Sequence, residues 1–187
     1  ALAYRHRRLK VLSLEAAVVQ VLLAEADFSV SSALWSDAGR SISFQYDQKG
    51  RRKIGRVDLL NRFEEISDQV GGTSLGRPYL SGGFHYRNGT YGFSLADEGR
   101  PAELGVIQGG SSRKMTSLNE DVLGHKTLAK VTPLTYLSSL DNQVIQGWYL
   151  TPPDFDPTQK YPLILEIHGG PHSAYGDFFS AELQLMA

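Results

Sequence analysis

The sequence of 187 residues contains no cysteine, and its formal net charge is only −1. The absence of cysteine excludes disulfide bonds, thiolate metal sites and a cysteine nucleophile. A nearly neutral chain has no overall positive field that would draw it to nucleic acid or to an anionic membrane. No apolar run reaches the ~18 residues that a membrane-spanning helix needs. We therefore expect neither a nucleic-acid partner nor a membrane partner, and we expect a cytoplasmic protein, with the periplasm left open.

The N-terminal part allows three interpretations. The basic residues 5–8 precede an apolar stretch that ends in Ala24-Glu25-Ala26, which imitates a signal peptide with its cleavage site. Lys10, Glu15 and Gln20 interrupt this stretch. A signal peptide and a single helix both stay open, but two strands with a turn near Glu15 are favoured. Because the sequence starts at Ala1, we expect a piece of a longer protein.

From residue 9 to residue 123 the pattern is that of antiparallel strands. Residues 41–46 alternate between apolar and polar side chains, as a half-buried strand does. Asn88-Gly89 lies between two alternating aromatic runs, which is the strongest short-range signal for a hairpin with a type I′ turn. The predicted strands are residues 9–14, 18–23, 41–46, 53–59, 84–87, 90–95 and 101–107.

Strands at this spacing without intervening helices predict a sandwich, a barrel or a propeller. Residues 33–44 look like the W-S-x-D-G-x-x-I-x-F element that opens the blades of many propellers. In such an element Trp35 packs between blades and Asp37-Ala38-Gly39 forms a tight turn. The propeller is favoured over another β-meander with a buried tryptophan.

The residue pattern changes toward the C-terminus, where a helix is predicted in addition to strands. Residues 136–150 predict two strands around an Asp141-Asn142 turn, and the proline-rich residues 151–160 cannot form a central strand. Residues 163–167 form a short apolar run that predicts a buried parallel strand. Asp177 is predicted to cap a helix that carries Phe179, Leu183 and Met186 on one face.

A His168-Gly169-Gly170-Pro171 turn follows the predicted strand. Ligands and catalytic groups of open α/β sheets gather at the carboxyl ends of the strands. Glycines at such a place let a backbone N–H approach a reacting oxygen without interference from a Cβ atom. The turn resembles the oxyanion-hole loop of α/β-hydrolases, and this resemblance implies the stabilisation of an oxyanion during acyl transfer.

Several short motifs surround this turn in a common register. They are Leu118-Asn119, Ser138-Ser139-Leu140-Asp141-Asn142, Ile145-Gln146-Gly147-Trp148, Pro152-Pro153 with Phe155-Asp156-Pro157, Lys160-Tyr161-Pro162-Leu163 and His168-Gly169-Gly170-Pro171-His172. The chain from Leu118 onward closely resembles the acylaminoacyl-peptidase branch of the prolyl oligopeptidase family. Residues 1–117 match the last propeller blades of that family more loosely.

The resemblance implies a fold that is mostly β with a start of α/β. Residues 1–130 would be the C-terminal blades of a β-propeller, and residues 131–187 would be the first strands and helix of an α/β-hydrolase domain. In this family a Ser-His-Asp triad cleaves short or N-acylated peptides, so the expected partner of the parent enzyme is a peptide substrate. The triad positions would all lie beyond Ala187, which makes the fragment inactive by itself. Partial blades also leave unpaired strand edges, so we expect self-association.

The resemblance also assigns the oxyanion site. The N–H of Gly170 would be one donor, His168 lies where relatives place another, and Gly169 and Pro171 complete the loop. Esterases and lipases carry similar loops, so an ester-cleaving α/β-hydrolase is an alternative. A propeller-derived binding module without chemistry of its own is a third interpretation.

Three other features are interpreted without catalysis. Gly72-Thr73-Ser74-Leu75-Gly76 matches the G-x-S-x-G motif of hydrolases, but its flanks do not supply the strand and helix of a nucleophile elbow, so a blade-connecting loop is predicted. His168 and His172 have the spacing of helical zinc ligands, but the intervening glycines and proline forbid a helix, so neither a metal nor another cofactor is expected. Glu166 would need a partner if buried, and the sequence does not identify one.

Overall fold

The computed structural model describes residues 6–170 and 173–187, with the side chain of Asp37 excepted. Pro171 and His172 therefore lie outside the described residues. The strands are β1 (Leu9–Ser13), β2 (Val18–Leu22), β3 (Val30–Ser36), β4 (Ser41–Gln48), β5 (Arg51–Asp58), β6 (Phe63–Val70), β7 (Phe84–Arg87), β8 (Thr90–Asp97), β9 (Arg100–Gln108), β10 (Ser111–Lys114), β11 (Lys130–Leu137) and β12 (Val144–Thr151). The helices are α1 (Glu120–Leu123) and α2 (Ala181–Met186).

Strands β3 to β10 form two antiparallel meanders of four strands each. The first runs from β3 to β6 and the second from β7 to β10, with consecutive strands paired in both. The strand ladders of the two meanders meet at the pair Val70 and Leu95, and the hydroxyls of Ser43 and Tyr91 share a buried hydrogen bond of 2.8 Å between the meanders. Four-stranded units of this kind are the building blocks of β-propellers. The prediction of a mostly β fold is confirmed.

The predicted hairpins are present. Asn88 and Gly89 have φ angles of 48° and 76°, as the predicted type I′ turn requires. Lys49 and Gly50 have φ angles of 51° and 71° and close the hairpin of β4 and β5 in the same way. The N-terminal apolar stretch forms the favoured pair of strands, β1 with β2, so the interpretation as a single helix is wrong.

The core consists of two apolar clusters that follow the alternation of the strands. In the first, the ring of Phe28 lies 4.3 Å from that of Tyr46 and 6.3 Å from that of Phe44. In the second, Val70 from β6 belongs to the same cluster as Phe93 from β8, so this cluster extends across the junction of the two meanders. Burial of these side chains is the main stabilising contribution to the fold.

The prediction for Trp35 is wrong in one respect. The predicted tight turn is present, since Ala38 and Gly39 have φ angles of 56° and 83°. The side chain of Trp35, however, is 55% exposed. Its neighbour Ser36 faces the buried side and shares a hydrogen bond of 2.8 Å with Ser41. Because side chains alternate along a strand, Trp35 is directed to the opposite side.

The predicted buried strand at residues 163–167 is also wrong. These residues lie outside every strand, and Leu163, Leu165 and Ile167 are 86%, 78% and 76% exposed. A parallel strand is stabilised by hydrogen bonds to its neighbours. Within residues 6–170 and 173–187 no strand lies alongside this segment to supply them.

The predicted C-terminal helix exists but begins later than expected. It is α2, and its N-cap is Ser180, whose hydroxyl accepts a hydrogen bond of 3.2 Å from the N–H of Leu183. Asp177, the predicted cap, instead forms an ion pair of 2.5 Å with Arg51. Arg51 thus competes successfully for the carboxylate that the sequence pattern assigned to the helix.

The predicted hairpin around Asp141-Asn142 is confirmed as β11 and β12, with Asn142 at a φ of 57°. This hairpin contacts the turn between β4 and β5. Gln146 donates a hydrogen bond of 3.1 Å to the carbonyl of Lys49. A Cβ atom on Gly50 would stand 2.9 Å from Cη2 of Trp148 and closer still to Cζ2. The absence of a side chain at Gly50 therefore permits the contact.

A buried carboxylate fixes the connection that follows β10. Glu103 is 4% exposed and accepts hydrogen bonds from the hydroxyl of Thr116, from the N–H of Leu118 at 2.9 Å and from the side chain of Asn119 at 3.0 Å. Burial by itself would raise the pKa of Glu103, but these donors, Thr116 first, lower it to about 2. The Leu118-Asn119 motif thus serves to bind the second meander.

The contact at Gly50 is tested by replacing this residue with alanine. Gly89→Ala is a matched control, because Gly89 has a similar φ and open space where its Cβ would stand. We expect both variants to lose stability through backbone strain, and Gly50→Ala to lose ~1–3 kcal/mol more through overlap with Trp148. Chemical denaturation measures both losses, and equal losses would contradict the packing described.

The role of Glu103 predicts a dependence of stability on pH. Because its pKa is lower in the folded chain than the usual ~4.3, its contribution is complete above about pH 4.5 and is lost as the pH falls toward 2. We expect Glu103→Gln to lower the free energy of unfolding at pH 7 by ~1–3 kcal/mol and to flatten the acid limb. Glu15→Gln, in the exposed turn after β1, is the control. Denaturation between pH 2 and 7 measures this; an unchanged acid limb in Glu103→Gln would exclude the role.

Candidate functional site

The loop between β6 and β7 joins the meanders to the C-terminal segment. We call residues 71–80 the docking loop and residues 173–187 the C-terminal segment. Their backbones are joined by four hydrogen bonds of 2.8 to 3.1 Å. These run from Leu80 N–H to Ala174 O, from Gly176 N–H to Pro78 O, from Ala181 N–H to Leu75 O and from Glu182 N–H to Gly76 O. The C-terminal segment therefore runs alongside the docking loop and is held there by its backbone.

The G-x-S-x-G match lies within this loop. Ser74 does not stand between a strand and a helix, as a nucleophile elbow would require, and the chain continues from it into β7. Its hydroxyl donates a hydrogen bond of 2.9 Å to the carbonyl of Arg77. The prediction of a loop that connects two strand units is confirmed, and the serine stabilises the shape of that loop.

Apolar contacts support the same arrangement. A Cβ atom on Gly71 would stand 2.7 Å from the ring of Phe178, so the ring packs directly on the backbone of the docking loop. The guanidinium of Arg51 lies 5.6 Å from the centre of the Phe178 ring while it pairs with Asp177. Burial raises the pKa of Asp177, and the charge of Arg51 opposes that rise.

Arg77 in the docking loop forms the polar centre of the site. Its Nη1 contacts Glu166, and its Nε and Nη2 each lie 3.0 Å from an oxygen of Glu182. The hydroxyl of Tyr175 accepts from Arg77 at 3.2 Å and donates to Glu166 at 3.1 Å. Glu166 therefore has two partners that the sequence did not reveal. Arg77 and Tyr175 were missed because only the fold brings them to the carboxylate.

The charges in this cluster shift two pKa values. Hydrogen bonds to Tyr175 and Glu182 raise the pKa of Arg77 above its ordinary value, and both nearby carboxylates add to the rise. Burial raises the pKa of Tyr175, although the adjacent guanidinium opposes this. Both groups consequently keep their protons at neutral pH. Arg77 is thus a permanent cation, and Tyr175 is a hydroxyl donor.

The predicted oxyanion residues lie next to this cluster. His168, Gly169 and Gly170 are all exposed. The imidazole of His168 lies 5.4 Å from the ring of Tyr175, and its Nδ1 is 2.9 Å from the carbonyl of Gly169. A Cβ atom on Gly169 would stand 3.4 Å from the hydroxyl of Tyr79. Pro171, the other predicted loop residue, lies outside the described residues.

The described part of the chain offers no site for a metal and no membrane span. Within it, no group of three His, Asp or Glu side chains converges so that it could hold a metal ion. No helix in the same ranges has the length and the apolar character needed to cross a bilayer.

No protein-family model matches the chain. Curated relatives are nevertheless similar to it. The uncharacterized peptidase YuxL of Bacillus subtilis is 34% identical over 95 residues, which are 50% of this chain and 14% of that protein. A probable dipeptidyl-peptidase 5 of Aspergillus niger is 28% identical over 180 residues, which are 90% of this chain and 23% of that protein. The chain thus spans less than a quarter of the length of either relative.

Solved structures share the fold. An acylaminoacyl peptidase from Pyrococcus horikoshii superposes with a TM-score of 0.75 at 23% identity, over 98% of this chain and 26% of that one. A dipeptidyl peptidase 4 from Porphyromonas gingivalis superposes with a TM-score of 0.56 at 16% identity, over 83% of this chain and 22% of that one.

The chain is therefore similar in sequence to proteins named as peptidases, and it shares its fold with solved peptidases. More particularly, the resemblance to the prolyl oligopeptidase family is confirmed, and the chain shares its fold with a solved acylaminoacyl peptidase.

Proposed function

We propose that this chain is the junction of a serine peptidase, where the last blades of a β-propeller meet an α/β-hydrolase domain. Residues 1–130 would supply the blades, and residues 131–187 the beginning of the catalytic domain. The observation that carries the proposal is the exposed His168–Gly170 turn beside the docking loop. The similarity to proteins named as peptidases supports the same conclusion.

The turn would stabilise the oxyanion of an acyl-transfer step. A carbonyl oxygen can only accept, so the Nδ1 of His168 must donate the hydrogen bond to Gly169. A neutral imidazole bonded in this way keeps Nε2 as an acceptor. While the imidazole is neutral, the oxyanion site therefore depends on the backbone N–H of Gly170 as its donor. His168 would add a second donor only in its protonated form. One such donor contributes ~3 kcal/mol of transition-state stabilisation.

The proposed substrates are short or N-acylated peptides. Similar proteins are named as an acylaminoacyl peptidase and as a probable dipeptidyl-peptidase. In this proposal the Ser-His-Asp triad is contributed by residues beyond Ala187, and the 187-residue chain alone does not hydrolyse peptides. The exposed turn is a part of the site that requires those residues to act.

Sequencing the gene beyond the codon for Ala187 and purifying the complete polypeptide test this function. We expect the complete polypeptide to hydrolyse N-acetyl-amino-acid p-nitroanilides. Because esters are intrinsically more reactive, each kcat/KM is divided by the rate constant of the uncatalysed hydrolysis. The anilides should then give a higher value than the related p-nitrophenyl esters. Substitution of the serine in a downstream G-x-S-x-G motif should abolish this activity. Cleavage of esters alone would favour the esterase alternative. Absence of both activities, with no downstream serine motif, would favour a binding module.

The oxyanion residues are tested separately in the complete polypeptide. Gly170→Pro removes the backbone N–H and should lower kcat by ~10²–10³-fold with little effect on KM. His168→Ala should lower kcat by only about tenfold, because the Nδ1 of its ring donates to the carbonyl of Gly169 rather than to an oxyanion. Thermal unfolding of both variants checks the fold, and His85→Ala, an exposed histidine on β7, is the control. A larger loss in His168→Ala than in Gly170→Pro would contradict this assignment.

A further inference from the structure

The contacts of Arg77 reach the His168–Gly170 turn from both sides in sequence. Glu166 precedes the turn by two residues and contacts the guanidinium directly. Tyr175 follows the turn, is 8% exposed, and its ring lies beside the imidazole of His168. One side chain of the docking loop therefore holds both flanks of the turn.

The tyrosines extend this support. The rings of Tyr79 and Tyr175 meet edge to face at 4.7 Å, and Tyr79 pairs with Tyr175 through a backbone bridge. The hydroxyl of Tyr79 also approaches Gly169. The docking loop thus fixes the Tyr175 ring, which packs on His168. Tyr79 contacts the backbone and the ring of Tyr175, and Arg77 binds its hydroxyl.

The geometry of the guanidinium suits this task. It presents one edge to both oxygens of Glu182 and retains Nη1 for Glu166 and Tyr175. A planar fork can bind several acceptors in fixed directions, whereas a lysine ammonium is a single point charge on a flexible stem. Without the cation, two carboxylates would converge on one place and repel each other. Glu166 would then be directed away from the cluster.

We propose that Arg77 is a positioning residue of the peptidase, which sets the place of the His168–Gly170 turn through Glu166 and Tyr175. This inference rests on the proposed function. It links the connection between the two meanders to the oxyanion site, so that the docking of the loop and the alignment of the Gly170 N–H depend on one another. A displacement of about 1 Å at such a donor can cost ~10²-fold in rate.

The first test measures position without activity. In the chain labelled with ¹³C-histidine, His168 should give a signal shifted from its random-coil value by the nearby Tyr175 ring, assigned through His168→Gln. Arg77→Gln should move this signal toward random coil and leave that of His85 unchanged. Arg62→Gln is the matched control, because it removes an ion pair of 2.6 Å with Asp58 at an exposed site away from the turn. A His168 signal unaffected by Arg77→Gln would overturn the proposal.

The second test measures the consequence in the complete polypeptide. Arg77→Gln should lower kcat by ~10–100-fold with KM within about threefold, and Arg77→Lys should recover only part of that loss. Thermal unfolding excludes a general loss of structure, and Glu182→Gln should give a smaller effect of the same kind if Arg77→Gln proves unstable. If the unmodified polypeptide is active, a normal kcat in both Arg77→Gln and Glu182→Gln would overturn the proposal. An inactive unmodified polypeptide would instead contradict the proposed function, while the histidine signals still decide the positioning.

Discussion

The contact of one guanidinium with two carboxylates determines how the parts of this chain fit together. Arg77 belongs to the loop between the two meanders, while Glu166 and Glu182 belong to the region that follows the hairpin of β11 and β12. Exposed ion pairs contribute little on average, but bidentate geometry and a shared tyrosine make this one more specific. The backbone hydrogen bonds of the docking loop then fix the direction of the C-terminal segment.

The local structure follows closely from the sequence. Asn88-Gly89 gives a type I′ turn because both residues tolerate a positive φ, and Asp141-Asn142 gives the second hairpin for a related reason. These features depend on residues adjacent in sequence. Strand β6 was missed because Glu64 and Glu65 interrupt its apolar pattern. Its signal is the complementary charge of β5, since Arg56 pairs with Glu64 and Lys53 with Glu65.

The site could be predicted only in part. The His168–Gly170 turn was found because its residue types carry a chemical meaning, but its supports lie far away in the sequence. Arg77, the partner of Glu166 on the docking loop, is 89 residues away in the sequence, so the fold rather than the local pattern brings the two together. The run at residues 163–167 has the composition of a buried strand, but a strand exists only where neighbours bind its backbone. Asp177 likewise does not cap the helix, because it pairs with Arg51 on β5.

The central claim is that Arg77 acts on the turn through Glu166, and a double-mutant cycle on catalysis tests it most directly. The values of kcat/KM for an N-acetyl-amino-acid anilide are measured in the complete polypeptide for Arg77→Gln, Glu166→Gln and the double variant. If the residues act as one unit, the double variant should lose no more than the worse single variant, which gives a coupling energy of ~1 kcal/mol or more. Losses that simply add, with a coupling energy near zero, would contradict the account.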